Sequence, residues 1–267
     1  MIDTRDIIGT HDVLFITFDS LRFDVAQTAL ERGLTPRLAK VLASSGWEAR
    51  HTPGNFTYAA HQAFFAGFLP TPIAPGKHAR LFAAKFQGSE STSSKTFVFE
   101  EASFPQALAA RGYHTFCIGG VGFFNKETAL SSSLTDLFEH SFWHRNMGVS
   151  NQNSTYCQVE QALIVLKELS DTDRVMMFIN ISATHKPTFK YLKGATEDSF
   201  ETQVAALKYV DSQLEPLFEK FQSRGKTLAF LCADHGEAFG EDGYFGHRIN
   251  HPVVTTVPYT EFILESE

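Results

Sequence analysis

The stretch Thr227–His247, TLAFLCADHGEAFGEDGYFGH, gives the strongest indication of how this chain folds. Its apolar run at 228–232 is typical of a buried strand, and Asp234 and His235 follow directly. In an open α/β sheet, ligands bind at the carboxyl ends of the strands. A carboxylate beside an imidazole at such a position suits a divalent cation such as zinc or manganese. The stretch therefore predicts a strand that ends at a metal site, with an ordinary polar turn as the competing interpretation.

A second apolar run, near the N-terminus, ends in a similar way. Residues 13–18 are rich in β-branched and aromatic side chains, and Asp19 follows them. Strands that are distant in sequence can be neighbours in a parallel sheet, so Asp19 and Asp234 are predicted to meet at one edge. For Asp19 alone, a helix N-cap would be the simpler interpretation. Two carboxylates at strand ends favour a metal-binding site over a helix N-cap.

Strand-like and helix-like segments alternate along the chain. Strands are predicted near 13–18, 114–118, 174–180, 227–232 and 253–263, and helices near 35–45, 57–66, 103–111, 153–170 and 198–223. This alternation predicts an α/β fold: an open, mostly parallel sheet with helices on both faces, in three α/β/α layers. With 267 residues, 43% of them hydrophobic, the chain can bury one large core. The polar stretch Gly88–Lys95 is predicted to be a surface loop, with a lid over a substrate as the alternative.

The order of motifs resembles the alkaline phosphatase superfamily, in particular its sulfatase-like and phosphoethanolamine-transferase-like branches. The resemblance rests on six features that occur in the order of the family. They are the strand-end acid Asp19, the "TPNLxxLA"-like segment 35–40, the nucleophile pattern aligned on Thr57–Gly67, the His-x-Pro loop at His185–Pro187, the stretch Asp234–Glu237 with His247 twelve residues beyond His235, and the closing strand at Val257–Tyr259. The resemblance covers nearly the whole chain and implies an alkaline phosphatase-like fold. Residues 1–267 are accordingly expected to form a single catalytic domain without the C-terminal subdomain of typical sulfatases.

The resemblance also implies site residues and a cofactor. The implied metal-binding residues are Asp19, Thr57, Asp234 and His235; the implied catalytic residues are Thr57, His185 and His247; and the substrate-binding candidates are His61 and His251. For these last two, an ordinary hydrogen-bonded histidine is the competing interpretation. One zinc or manganese ion per chain is expected, because two-metal members carry a carboxylate four positions before His185, where this chain has Ile181. A weaker second ion, bound through His185, His247 or His251, is the alternative.

The departures from the sulfatase pattern bear on the chemistry. Sulfatases make formylglycine from Cys or Ser where this chain has Thr57, and their arginine four residues later is His61. The lysine and histidine of their "IGKWH" segment are Gly120 and Gly122. We therefore predict a metal-dependent hydrolase or transferase of small phosphoric esters that acts through a phosphothreonine intermediate on Thr57. The alternatives are a sulfuric ester hydrolase, or a catalytically silent sulfatase-like module that only binds a ligand or partner.

Composition excludes several classes of protein. A net charge of −7 with scattered Lys and Arg argues against a nucleic-acid-binding surface. No apolar run approaches the roughly 18 residues of a membrane helix, and the N-terminus lacks signal-peptide features. Three widely spaced cysteines suggest no disulfide framework. A cytoplasmic protein is expected, and the oligomeric state is left open.

Overall fold

Strand β1 (Asp12–Phe18) lies at the centre of a seven-stranded sheet. The structure is a computed structural model that describes residues 2–42, 46–67 and 102–265. The neighbours of β1 are β5 (Arg174–Ile181) and β6 (Thr227–Ala233), and both run parallel to it. The remaining strands are β2 (Glu48–His51), β3 (Tyr113–Ile118), β4 (His140–Phe142) and β9 (Thr256–Leu264). The order across the sheet is β2-β9-β6-β1-β5-β3-β4. Strand β9 pairs in antiparallel fashion with both β2 and β6, and the other pairs of this sheet are parallel.

Helices cover both faces of this sheet. One face packs on α1 (Phe23–Glu31), α2 (Pro36–Val41), α6 (Ser154–Glu168) and α7 (Phe200–Arg224). The other face packs on α3 (Thr57–Ala66) and α4 (Phe104–Ala109). Short helices α5 (Ala129–Ser132) and α8 (Pro252–Thr255), and a hairpin of β7 (Ala238–Phe239) and β8 (Phe245–Gly246), lie in the connections.

The alternation of side chains along β1 explains why the sheet has two covered faces. Leu14 and Ile16 belong to the apolar cluster on the α1 and α7 face, whereas Val13 and Phe15 belong to the cluster on the α3 and α4 face. All seven residues of β1 are buried. Burying a side chain of this size stabilises the fold by about 1.5–3 kcal/mol, so a strand that is apolar on both faces is most stable at the centre of the sheet. The predicted mostly parallel α/β fold, with helices on both faces, is confirmed.

The predicted elements are found with shifted ends. The last predicted strand starts three residues late because Pro252–Thr255 form α8, and the helix predicted at 35–45 ends at Val41. The Gly88–Lys95 loop lies outside the described residues. The expectation of a single domain over 1–267 stays a prediction. Among the described helices, none combines the length and the apolar character needed to cross a membrane.

Candidate active site

Asp19 and Asp234 leave two neighbouring strands at the same level of the sheet. The register pairs Phe18 at the end of β1 with Ala233 at the end of β6, so the residue after each strand reaches the same edge. Asp19, Asp234 and His235 are all fully buried, and each offers a possible ligand atom within 4.8 Å of the others. The structure thus brings together the three side chains that the strand ends predicted.

One oxygen of Asp234 has no hydrogen-bond partner among the described residues. Its Oδ1 accepts hydrogen bonds from the backbone N–H groups of Ser20 (3.0 Å) and His235 (2.9 Å), but its buried Oδ2 accepts none. An unpaired buried carboxylate oxygen is costly unless a cation or a proton satisfies it. Burial and the neighbouring Asp19 carboxylate raise the pKa of Asp234 well above its ordinary value. A divalent cation would relieve both effects.

His235 is oriented to act as a metal ligand. Its Nδ1 lies 2.8 Å from the carbonyl oxygen of Gly236, which can only accept, so Nδ1 carries the proton. The lone pair is therefore on Nε2, which lies 3.5 Å from Oδ2 of Asp234. Metal-bound histidines commonly have their second nitrogen fixed in this way. Two carboxylates and one imidazole nitrogen form a donor set that fits zinc or manganese.

Asp19 is held by three donors from different elements. Its Oδ1 accepts from the Ser20 hydroxyl at 3.0 Å, and its Oδ2 accepts from Asn180 Nδ2 at 3.2 Å and from the Thr57 hydroxyl at 3.3 Å. Ser20 has a left-handed backbone (φ 62°), which is uncommon outside glycine and occurs often at functional sites. This turn allows one residue to contact both carboxylates. No motif in the sequence marks Ser20 or Asn180 as a site residue.

Thr57 is the first residue of α3 and faces the same cluster. Its Oγ1 lies 3.3 Å from Asp19 Oδ2 and 3.4 Å from His235 Nε2. The N-cap residue is Phe56, whose side chain cannot cap the helix, so the N–H groups of the first turn have no side-chain acceptor. A helix N-terminus in this state favours an anion. The Thr57 hydroxyl is therefore next to both the candidate cation ligands and a position suited to a phosphoryl group.

Thr57 opens into a cavity of about 690 Å³ that also contains both predicted catalytic histidines. The ring of His247 lies 4.5 Å from that of His235 and 6.0 Å from that of His185, measured between centroids. Nδ1 of His185 is hydrogen-bonded to the Lys186 carbonyl at 2.6 Å. Both imidazoles are thus placed where a substrate bound at Thr57 would extend.

Glu237, which the sequence did not predict as a site residue, joins two of the cavity residues. Its buried carboxylate accepts from His247 Nδ1 at 2.6 Å and from Lys186 Nζ at 2.9 Å. Burial opposes ionisation, but these two hydrogen bonds outweigh it and lower the pKa of Glu237 below its ordinary value. The available signal was its place as the fourth residue of Asp-His-Gly-Glu, directly after the candidate ligands.

His61, a predicted substrate-binding residue, is not among the residues that line the cavity. It is fully buried beneath Thr57, with Nδ1 2.7 Å from the Thr57 carbonyl oxygen and Nε2 3.0 Å from the Thr17 hydroxyl. Phenylalanine rings surround it, those of Phe64, Phe65, Phe124 and Phe178. Burial lowers the pKa of His61 to about 4, so the ring is neutral. It links the first turn of α3 to β1.

His251, the other predicted substrate-binding residue, is also not among the residues that line the cavity. Its Nδ1 accepts from the Val253 N–H at the start of α8, and its Nε2 lies 3.1 Å from Asp242 Oδ2. The side chain therefore caps a helix. The sequence pattern could not distinguish this histidine from those of the site.

At two positions of the site only glycine fits, because the backbone of another segment passes too close for a side chain. A Cβ atom at Gly120 would lie 2.1 Å from the Asn180 carbonyl oxygen, and one at Gly236 would lie 1.9 Å from the Val253 carbonyl oxygen. Backbone atoms thus fill the space beside Gly120 that a lysine would need. Gly122 has open space around it and lines the cavity.

The fold and the site together define an alkaline phosphatase-like protein with an acid–imidazole cluster at its strand ends. The chain belongs to the sulfatase family, whose model matches residues 11–259, and through it to the alkaline phosphatase superfamily. No curated protein matches the sequence.

Solved structures show the same fold at low sequence identity. The C-terminal periplasmic domain of phosphoethanolamine transferase EptC from Campylobacter jejuni is similar with a TM-score of 0.61 and 15% identity, over 95% of this chain and 80% of that one. Lipoteichoic acid synthase LtaP from Listeria monocytogenes gives 0.63 and 11%, over 96% and 65%. An alkaline phosphatase superfamily protein from Vibrio parahaemolyticus gives 0.56 and 17%, over 94% and 60%. The chain thus spans less than two thirds of the last two proteins.

Proposed function

We propose that this protein is a metal-dependent hydrolase or transferase of small phosphoric esters, with Thr57 as the nucleophile. The observation that carries the proposal is the position of Thr57 Oγ1, 3.3 Å from Asp19 and 3.4 Å from His235 at an uncapped helix start. Asp19, Asp234, His235 and the Thr57 hydroxyl would hold one zinc or manganese ion. When bound, such an ion lowers the pKa of a coordinated hydroxyl and neutralises charge on phosphoryl oxygens.

The nucleophilic step uses the residues already described. The Thr57 hydroxyl loses its proton to solvent, its Oγ1 forms a bond to phosphorus, and the P–O bond to the ester oxygen breaks on the opposite side, so that phosphothreonine and a protonated leaving group result. Water or an alcohol then takes the phosphoryl group and restores the Thr57 hydroxyl. The N–H groups in the first turn of α3 favour the anionic phosphoryl oxygens throughout.

Proton transfer to the leaving group is assigned to the cavity histidines. Glu237 holds Nδ1 of His247, so Nε2 of that ring is free to exchange a proton. An imidazole can serve as acid in one step and as base in the next. His185, on the other side of His247, is the second candidate for contact with phosphoryl or leaving-group oxygens.

The glycine at position 120 supports phosphoric esters rather than sulfuric esters as substrates of this site. The sulfatase pattern places a lysine there, but the Asn180 carbonyl oxygen fills that space in this chain. The formylglycine precursor is also replaced, by Thr57. The site therefore lacks two of the groups that sulfate ester cleavage uses in that pattern.

The test is turnover of 4-nitrophenyl phosphate mono- and diesters by wild-type protein and by Thr57→Ala and Thr57→Ser. Thr57→Ala should abolish turnover, because loss of a nucleophile costs several orders of magnitude in rate, whereas the fold should stay intact, because Phe56 and not Thr57 is the N-cap residue of α3. Thr57→Ser keeps the attacking oxygen and should retain partial activity. Intact-protein mass spectrometry after an acid quench should detect one phosphate on the wild type and none on Thr57→Ala.

Three outcomes would contradict the proposal. Near-normal turnover by Thr57→Ala would reduce Thr57 to a structural role. Faster cleavage of 4-nitrophenyl sulfate than of every phosphoric ester would identify a sulfatase. No turnover of any ester by metal-loaded protein would favour a silent binding module.

A further inference from the structure

Arg248 is a cavity residue that the proposed mechanism leaves unused. It lines the same cavity as Thr57, and no carboxylate among the described residues pairs with its guanidinium. The other cationic chain of the cavity, Lys186, is neutralised by the buried carboxylate of Glu237 at 2.9 Å. The positive charge available to a ligand in the described part of the cavity is therefore that of Arg248.

The backbone of Arg248 is held in place next to the nucleophile. Its N–H donates to the Asn55 carbonyl oxygen at 2.8 Å, two residues before Thr57. Its φ of 70° is left-handed, a conformation uncommon for a long side chain and more frequent at functional sites. The arginine is thus fixed to the loop that leads into α3.

The side chain of Arg248 lies against an aromatic wall. Its guanidinium is 5.6 Å from the centroid of the Phe56 ring. The Phe56 ring is 6.4 Å from that of Phe123, which is in turn 5.5 Å from that of Tyr58. Phe56 and Tyr58 flank Thr57 in sequence, so the wall borders the site of phosphoryl transfer. Phe245, 76% exposed, adds a further apolar group to the cavity.

We propose that Arg248 determines specificity by binding a second anionic group of the substrate. The site would then take phosphoric esters whose organic group is apolar near phosphorus and carries a further carboxylate or phosphate. A guanidinium stacked on an aromatic ring keeps its outer N–H groups for two parallel hydrogen bonds to such an oxyanion. The proposal rests on the proposed function, because it takes Thr57 as the place where the phosphoryl group binds.

The test measures binding of two non-hydrolysable probes to the metal-loaded full chain by calorimetry. Phenylphosphonate and 4-phosphonobenzoate differ by one carboxylate. Wild-type protein should bind 4-phosphonobenzoate about ten-fold more tightly, in keeping with a charge-assisted hydrogen-bonded pair. Arg248→Gln should remove that preference and leave the affinity for phenylphosphonate within about two-fold. Arg248→Lys, which keeps the charge but not the bidentate geometry, should retain part of it.

Arg5→Gln is the matched control. It also removes one arginine charge, but from an exposed side chain paired with Asp3, and it should leave the preference unchanged. Thermal melting of each variant shows that the fold is intact, and Arg248→Lys provides the comparison if Arg248→Gln does not fold.

The outcomes separate this inference from the proposed function. Equal weakening of both probes in Arg248→Gln would mean that Arg248 contacts the phosphoryl group, and would overturn the second subsite. The second subsite would also be overturned if the wild type did not prefer 4-phosphonobenzoate, or if it bound neither probe. A protein that turns over no phosphoric ester but prefers 4-phosphonobenzoate through Arg248 would contradict the proposed function and support the subsite.

Discussion

Nδ1 of His247 lies 2.6 Å from Oε2 of Glu237, a carboxylate whose side chain is only 4% exposed. The same carboxylate binds Lys186 through its other oxygen. A buried acid that holds an imidazole fixes both the tautomer and the direction of the ring, as in other acid–histidine pairs. Glu237 is therefore a positioning residue for His247.

Glu237→Gln should lower kcat about ten- to hundred-fold with a smaller change in KM, because His247 loses its fixed orientation. Steady-state kinetics on one phosphoric ester series with leaving groups of different pKa provides the measurement. The variant should become more sensitive to leaving-group pKa, since protonation of the leaving oxygen is impaired. Lys186→Met is the matched control, because it removes the other partner of Glu237 and should not steepen that dependence. An equal loss for all leaving groups would contradict this role.

The purified protein should contain about one zinc or manganese ion per chain, measured by elemental analysis. Asp234→Ala should weaken metal affinity at least ten-fold, because it removes the unpaired Oδ2. Metal should also raise the melting temperature of the wild type and not of this variant. Asp242→Ala, which removes an exposed acid from the following loop, is the control. Absence of metal, together with unchanged affinity in Asp234→Ala, would contradict the site.

Gly120→Ala should destabilise the protein by more than about 1 kcal/mol, because its Cβ would lie 2.1 Å from the Asn180 carbonyl oxygen. Gly122→Ala is the matched control, two residues away, and should be close to neutral because nothing lies within 4 Å of its Cβ. Urea unfolding gives both values. Similar stabilities for the two variants would show that the backbone beside Gly120 yields easily.

The burial of His61 predicts a pH dependence of stability. Its pKa is lowered from 6.5 to about 4 in the folded state. The unfolded chain therefore binds a proton more readily, and folding stability should fall as pH decreases from 6.5 and level off below about 4. The full effect is roughly 3 kcal/mol.

Urea unfolding of metal-free wild type and His61→Gln across this pH range isolates that contribution, because other groups titrate in both proteins. The wild type should lose more stability between pH 6.5 and 4 than the variant. Parallel curves would show that folding does not lower the pKa of His61.

The principal strands and helices could be predicted from hydrophobic patterns, because buried strands in a parallel sheet must be apolar on both faces. Three elements, β2, β4 and α1, have no clear hydrophobic pattern in the sequence. All four residues of β2 are exposed and pair with β9 through backbone hydrogen bonds. Strand β4 has only three residues, and α1 buries only Val25, Ala26 and Ala29.

The site was predictable where residues directly follow strands. Asp19, Asp234 and His235 come immediately after apolar runs, so the geometry of a parallel sheet brings them to one edge. His61 and His251 could not be separated from catalytic histidines by sequence, since a buried support and a helix cap use the same side chain. Their different roles depend on neighbours that are distant in the chain.

The sequence by itself determined a parallel α/β sheet and the strand-end acids, because both follow from local hydrophobicity and from which residue comes next. Only the tertiary structure decided that Asn180 supports Asp19, that Glu237 holds His247, and that Arg248 faces the cavity without a carboxylate partner in the described chain. Those contacts join strands and loops that are separated in sequence. Their partners are set by strand order and loop return, which local patterns do not encode.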